Sequence, residues 1–181
     1  DFLCEGTETV NTVNINCWRH SNPHGYQSSR DAVSNSCNPA FIQLGQKIGH
    51  ETLYNYYEAF GLRKTTNYDF YGESNSIFHN EDEVSNIELA TMSFGQRFNV
   101  TPIQMISAIS AIANDGTLMK PRIIKQIKNP DTSVVTTVEP EPIRQVVSKE
   151  TSEEILSMME TAVLDGTGKY AQVAGYSVGG K

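Results

Sequence analysis

Asn35-Ser36-Cys37-Asn38-Pro39-Ala40-Phe41-Ile42-Gln43-Leu44-Gly45 is the stretch on which the reading of the chain turns. Small polar residues run into Asn38-Pro39 and then into an apolar, helically spaced segment. Asparagine can cap a helix, and proline suits the first helical position because its φ is preset and it strands no N–H there. The spacing predicts a helix from Pro39 with Phe41, Leu44, Gly45 and Ile48 on one face, closed by Gly49. A second helix is expected over about residues 51 to 60, burying Leu53, Tyr56, Tyr57 and Phe60 and ending at Gly61. Upstream, a short helix fits residues 31 to 34. Residues 7 to 18 place Val10, Val13 and Ile15 among polar neighbours, the pattern of a short hairpin.

Downstream, residues 62 to 82 read as a long loop whose aromatics Tyr68, Phe70, Tyr71 and Phe78 are expected to pack on the body, with order resuming near Ser85. Thr101-Pro102-Ile103-Gln104 is a capping box with proline at the first helical position. Ile103, Ile106, Ile109 and Ile112, with Ala108 and Ala111, predict a fully buried helix stopped by Asn114-Asp115-Gly116. Residues 122 to 128 and 133 to 138 flank a turn cluster and predict a hairpin. Ser148 starts a last helix with Ile155, Met158, Met159, Ala162 and Val163 as its apolar face, ended by Asp165-Gly166-Thr167-Gly168. Residues 173 to 181 read as a strand.

Composition narrows the function. The chain has 181 residues, enough for one domain or a large piece of one. Its 21 acidic against 14 basic residues give a net charge of −7, which argues against nucleic acid because phosphate binding needs clustered Lys and Arg. Mean hydropathy is −0.39, and no apolar run is long enough for a membrane span. Three cysteines, Cys4, Cys17 and Cys37, allow one disulfide plus a thiol, or three thiols. Cys17, His20 and His24, with Cys4 or Cys37 as fourth ligand, have a spacing that could hold zinc. Lacking a Cys-x-x-Cys pair, the plainer reading is two surface histidines, and the expectation is no metal and no cofactor.

Taken together, the segments resemble a known family. The stretch from Asn35 to Gly45 resembles the S-x-N motif and following helix of the class B penicillin-binding proteins, the peptidoglycan D,D-transpeptidases. Phe94-Gly95-Gln96 through Thr101-Pro102-Ile103-Gln104 to Ala113-Asn114-Asp115-Gly116 is similar to a long signature of the same family, and Gly175 to Lys181 resembles the approach to its K-T-G motif. Cys37 inside the triplet and Cys17-Trp18 upstream are most similar to the sporulation branch, the stage V sporulation protein D type. The implied fold class is α+β: a largely helical portion of the penicillin-binding-protein/β-lactamase-like transpeptidase fold, with short hairpins and the start of the active-site strand.

Residues 1 to 181 would then be a partial transpeptidase domain. It would lack an upstream Ser-x-x-Lys element and everything after the K-T-G lysine, and so be inactive alone. The resemblance assigns Ser36 a proton relay, Asn38 the substrate amide, Lys181 the substrate carboxylate, and Gly179 and Gly180 a close approach to ligand. It also raises a redox-sensitive Cys17 to Cys37 disulfide. Implied partners are peptidoglycan stem peptides and β-lactams in the parent, and cell-wall assembly proteins, at the extracytoplasmic face of a bacterial membrane with an anchor outside this chain. Self-association of the isolated chain is expected. A non-catalytic β-lactam or peptide sensor, or a scaffold, is the alternative.

Overall fold

The computed structural model describes residues 1–181. In chain order it forms β1 (Phe2–Cys4), β2 (Thr7–Val10), β3 (Val13–Asn16), β4 (Gly25–Gln27), α1 (Ser29–Ser34), α2 (Asn38–Ala59), α3 (Asn86–Met92), α4 (Pro102–Ala113), β5 (Thr117–Met119), β6 (Gln126–Lys128), β7 (Val135–Thr137), β8 (Pro142–Gln145) and α5 (Lys149–Leu164). The strands make four separate antiparallel pairs: β1 with β4, β2 with β3, β5 with β8 and β6 with β7. No helix is long and apolar enough to cross a membrane.

Local chemistry accounts for most element boundaries. Ser28, Ser85 and Thr101 each accept from the backbone N–H three residues on, and Asp31, Glu88 and Gln104 reach back, so all three helices open with capping boxes. The sequence reading starts α1 at Asp31, but the box starts it at Ser29. Gly49 breaks α2 into two helices with φ 80° and ψ 165°, a conformation open to glycine and costly to any other residue. Asn38 does not cap. It lies in the first turn, and the Cys37 carbonyl takes the first helical bond from the Phe41 N–H, 3.2 Å away.

The chain folds as two compact units. One comprises residues 1–55, 78–98 and 153–181. In it, Val10, Ile42 and Ala90 form a buried cluster with Ile15, Ile87 and Phe94 against it, and Cys4, Cys17, Ala32, Cys37 and Ala40 form a second with Phe2. The buried face of α2 is therefore Ala40, Ile42 and Gly45, with Tyr54 in its second half. Leu44, Ile48 and Tyr56 are exposed instead of buried. Apolar residues nearly encircle this helix, so the small ones choose the contact face: Gly45 lies directly against Ser93, where any Cβ would collide. Phe78 packs on Tyr54 and stacks on Phe98 with centroids 5.0 Å apart.

The other unit comprises residues 56–77 and 99–152. Here α4 buries Gln104, Ala108 and Ala111, while Ile106 and Ile109 are exposed. Steps of three along a helix drift by about 60° each, so the isoleucines wind around α4 and define no stripe, whereas positions 104, 108 and 111 stay aligned. Gln104 tolerates burial because its amide donates to the Leu62 and Lys64 carbonyls at 3.2 and 2.7 Å and accepts from Thr101. Tyr68 is half-buried, whereas Phe70 and Tyr71 are exposed, so the 62–82 loop packs less of its aromatic content than expected.

Two strand pairs, β1 with β4 and β5 with β8, were not legible, because each joins short segments far apart in sequence. The hairpin of β6 and β7 is present but shorter than its periodic runs. Residues 173 to 181 form no strand. They run without a ladder: the Tyr176 N–H turns back to the Val173 carbonyl at 3.1 Å, and the Gly180 N–H reaches the Met159 carbonyl of α5 at 3.2 Å.

Ile42→Ala, at a fully buried position, should lower unfolding free energy by about 2–5 kcal/mol in chemical denaturation, whereas Leu44→Ala should change it by less than about 1 kcal/mol. A Cβ on Gly166 would lie 2.5 Å from the Ser34 carbonyl oxygen and 2.7 Å from that of Ala162, so Gly166→Ala should cost about 1–3 kcal/mol in the same measurement.

Candidate functional site

α1 ends where the chain reverses its backbone hand: Ser36 has φ 50°, a left-handed conformation that serine rarely adopts. Several contacts hold this turn. The Thr167 N–H and Oγ1 donate to the Ser34 carbonyl at 3.0 and 3.3 Å, the Trp18 indole N–H donates to the Asn35 carbonyl at 2.8 Å, and the Asn35 amide donates to Gln27 Oε1 at 2.9 Å. Below them the Cys37 N–H bonds the Ala32 carbonyl at 3.1 Å. The same Gly166-Thr167 segment that ends α5 thus buttresses the turn before α2. Arg30 of α1 reinforces this by donating to Ser157 and Thr161 of α5.

Onto this turn the C-terminal segment brings Lys181. Its Nζ donates to Ser36 Oγ at 2.6 Å, across 145 residues of sequence, and lies 5.2 Å from the centroid of the Phe41 ring. A cation over an aromatic face is held by the ring's quadrupole without being neutralised. Desolvation beside that ring and turn lowers the Lys181 pKa from its ordinary value. Ser36 and Asn38 are half-buried, and the Asn38 amide makes only a long bond, 3.4 Å, to the Asn16 carbonyl. A hydroxyl that accepts from an ammonium keeps its own proton free to donate, so the Lys181–Ser36 pair can pass a proton to a bound group while presenting positive charge to an anion.

Two of the residues read from sequence therefore meet, Ser36 and Lys181, while Asn38 lies two residues on from Ser36 in the first turn of α2, with its amide on the Asn16 carbonyl. Gly179 and Gly180 precede the lysine, and a Cβ at either would make only ordinary contacts, at 3.4 Å to Met159 and 3.7 Å to Val163. Packing within this chain does not demand glycine there.

Sequence reasoning missed what supports them. Trp18, Gln27 and Thr167 act through backbone carbonyls or side-chain amides, which leave no periodic or motif trace. Gly166 before Thr167 was the one available signal, and its helix-ending role masked it.

Beneath Ser36 lies a second cluster. Cys4, Cys17 and Cys37 are buried free thiols, and their sulfurs and an imidazole nitrogen of His24 all lie within 4.8 Å of one another. His20, counted from sequence among the zinc-spaced residues, is exposed and outside this group, whereas Cys4 and Cys37 both belong to it. His24 is half-buried, not a surface residue, and burial, then the nearby Arg19 charge, lower its pKa. Burial pushes the Cys37 thiol up to about 12 and also raises Cys17. At Cys4, burial acts upward but is outweighed by hydrogen bonds from the His24 and Gly6 backbone and from the two other cysteines, so its pKa is lowered.

The family model of the penicillin binding protein transpeptidase domain matches residues 3–181. The chain is 41% identical over 181 residues to stage V sporulation protein D of Bacillus subtilis, covering 99% of this chain and 28% of that protein. It is 35% identical over 153 residues to penicillin-binding protein PbpB of Mycolicibacterium smegmatis, covering 81% of this chain and 24% of that one. Among solved structures, the D,D-transpeptidase domain of a peptidoglycan glycosyltransferase from Eggerthella lenta superposes with a TM-score of 0.89 at 26% identity, over 97% of this chain and 46% of that one. Penicillin binding protein 3 of Mycobacterium tuberculosis, complexed with aztreonam, gives 0.86 at 30% identity, over 97% and 41%. The chain thus spans less than half of each of these relatives. With that family model matching residues 3–181 and a backbone shared with these structures, the chain belongs to the penicillin binding protein transpeptidase domain family.

Proposed function

We propose that this chain is the part of a peptidoglycan D,D-transpeptidase that carries its proton relay and substrate-carboxylate clamp, in spore or cell-wall synthesis at the extracytoplasmic membrane face. The observation that carries the reading is the 2.6 Å bond from Lys181 Nζ to Ser36 Oγ. A serine on an element outside these residues attacks the carbonyl of a D-Ala-D-Ala stem peptide. The C–N bond breaks, an acyl-enzyme forms, and the leaving amine takes its proton through Ser36. Asn38 donates to a substrate amide carbonyl, and Lys181 faces the terminal carboxylate. The amine of a second stem peptide then releases the acyl group, restoring the serine. A β-lactam enters by the same attack. Without the nucleophile the isolated chain has no turnover.

Gly179 and Gly180 leave the backbone next to Lys181 free of side chains where ligand would lie, consistent with the ordinary contacts their Cβ atoms would make. Cys17 and Cys37 lie within reach of a disulfide, which would form by exchange with the disulfide of an extracytoplasmic thiol oxidoreductase and distort the turn at Ser36. Thiol titration reads it: two thiols gained on reduction support the bond, and none gained contradicts it.

In the full-length protein, Ser36→Ala and Lys181→Gln should each slow acylation by fluorescent penicillin about 10²-fold or more without lowering the unfolding temperature. Rates unchanged in both variants would contradict the relay. Acylation without cross-linking of stem peptides would favour the sensor reading. The isolated chain exposes Met105, Ile106 and Ile109 of α4 and should self-associate in sedimentation at high concentration. A clean monomer would count against it.

A further inference from the structure

We propose that Cys4, Cys17, His24 and Cys37 form a four-coordinate site for a thiophilic divalent cation of the zinc class, which clasps the Ser36 turn to the first strands of the fold. The four residues come from four separate segments. Cys4 ends β1, Cys17 follows β3, His24 precedes β4, and Cys37 adjoins α2 directly after Ser36. All three sulfurs are inside the fold, at 0, 1 and 0% exposure, and all four ligand atoms lie within 4.8 Å of one another.

The dimensions suit a tetrahedron. With Zn–S near 2.3 Å and Zn–N near 2.05 Å, the sulfur–nitrogen edge is about 3.6 Å and the sulfur–sulfur edge about 3.8 Å. Cys17 Sγ lies 3.5 Å from His24 Nδ1, already at the first value, and closing the widest separation to the second needs a contraction of about 1 Å. Small-hydrophobe packing would explain three buried cysteines but not an imidazole turned into their midst. The His24 ring packs edge-on against Trp18 with centroids 5.6 Å apart, and its Nε2 has no hydrogen-bond partner, so no hydrogen bond draws the ring away from the sulfurs.

Three thiolates and a neutral imidazole suit zinc among common divalent ions and are a poor set for calcium or magnesium, which take oxygen ligands. Four protein ligands close the coordination shell, so the ion holds structure and performs no Lewis-acid step. Binding releases the three thiol protons and moves no electrons. It also excludes the Cys17–Cys37 disulfide, which needs the two sulfurs about 2.05 Å apart, whereas coordination holds them near 3.8 Å. The reduced cluster would thus be the metal-bearing state of the turn. The site stands on these contacts alone and does not depend on the transpeptidase reading.

The test is elemental analysis of the full-length protein purified in reductant without chelator, with cobalt(II) exchange as a second readout. One zinc per chain is expected, and the cobalt form should show thiolate charge-transfer absorption with intense visible bands of a tetrahedral centre. Cys4→Ser, which leaves the Cys17–Cys37 pair and Ser36 intact, should reduce metal content severalfold. Three titratable thiols with no zinc and no cobalt spectrum would overturn the site, as would a zinc content unchanged in Cys4→Ser. If that variant does not fold, X-ray absorption at the zinc of the unaltered protein decides. Three sulfur ligands and one nitrogen support the site, and any other shell overturns it.

Discussion

The left-handed backbone at Ser36 is the constraint around which this structure is arranged. A residue other than glycine in that region costs on the order of 1–3 kcal/mol and persists only when its surroundings over-determine it. Here they do. The two residues before the turn are bonded from three directions, by Trp18, Gln27 and Thr167, and the one after it is buried. The reversal aims the Ser36 hydroxyl outward while Cys37 goes into the core, so one dipeptide supplies both a surface hydroxyl and an anchor. Gly166 has no Cβ because the Ser34 carbonyl occupies that space, and α1 is bound to α5 through Arg30.

From that turn the electrostatics follow. Lys181 is brought to Ser36 by a segment that forms no ladder of its own, so its placement rests on a few contacts: the Gly180 N–H on Met159, the Phe41 ring, and Ser36 itself. The ammonium meets no carboxylate among these, so its charge remains available to an anionic ligand. Partial desolvation strengthens that attraction, because a charge with fewer waters interacts through a lower effective dielectric.

How much of this the sequence revealed depended on the range of the interaction. The capping box at Thr101, the Gly49 break and the β2–β3 hairpin are set within a few residues, and their chemistry is visible in the letters, whereas at Ser85 the sequence reading placed the return of order without its capping box. Faces were harder. α4 presents isoleucine on several sides, and burial went to Gln104, Ala108 and Ala111, because Gln104 finds two carbonyls across the unit and the alanines allow close approach. Ser36, Asn38 and Lys181 were legible only as a family pattern; singly, the first two looked like a helix start and the third like any lysine. Cys4 and Cys37 were seen as alternatives for one role, and only the fold brings both to Cys17 and His24. The β1–β4 and β5–β8 pairs join short strands across long separations, for which no local signal exists.

In the proposed reaction Ser36 relays a proton and is not itself acylated. Peptide mapping of the penicilloyl adduct on the full-length protein tests this most directly. The adduct is predicted on a serine outside residues 1–181, with Ser36 recovered unmodified. An adduct on Ser36, or on any residue of this chain, would contradict it.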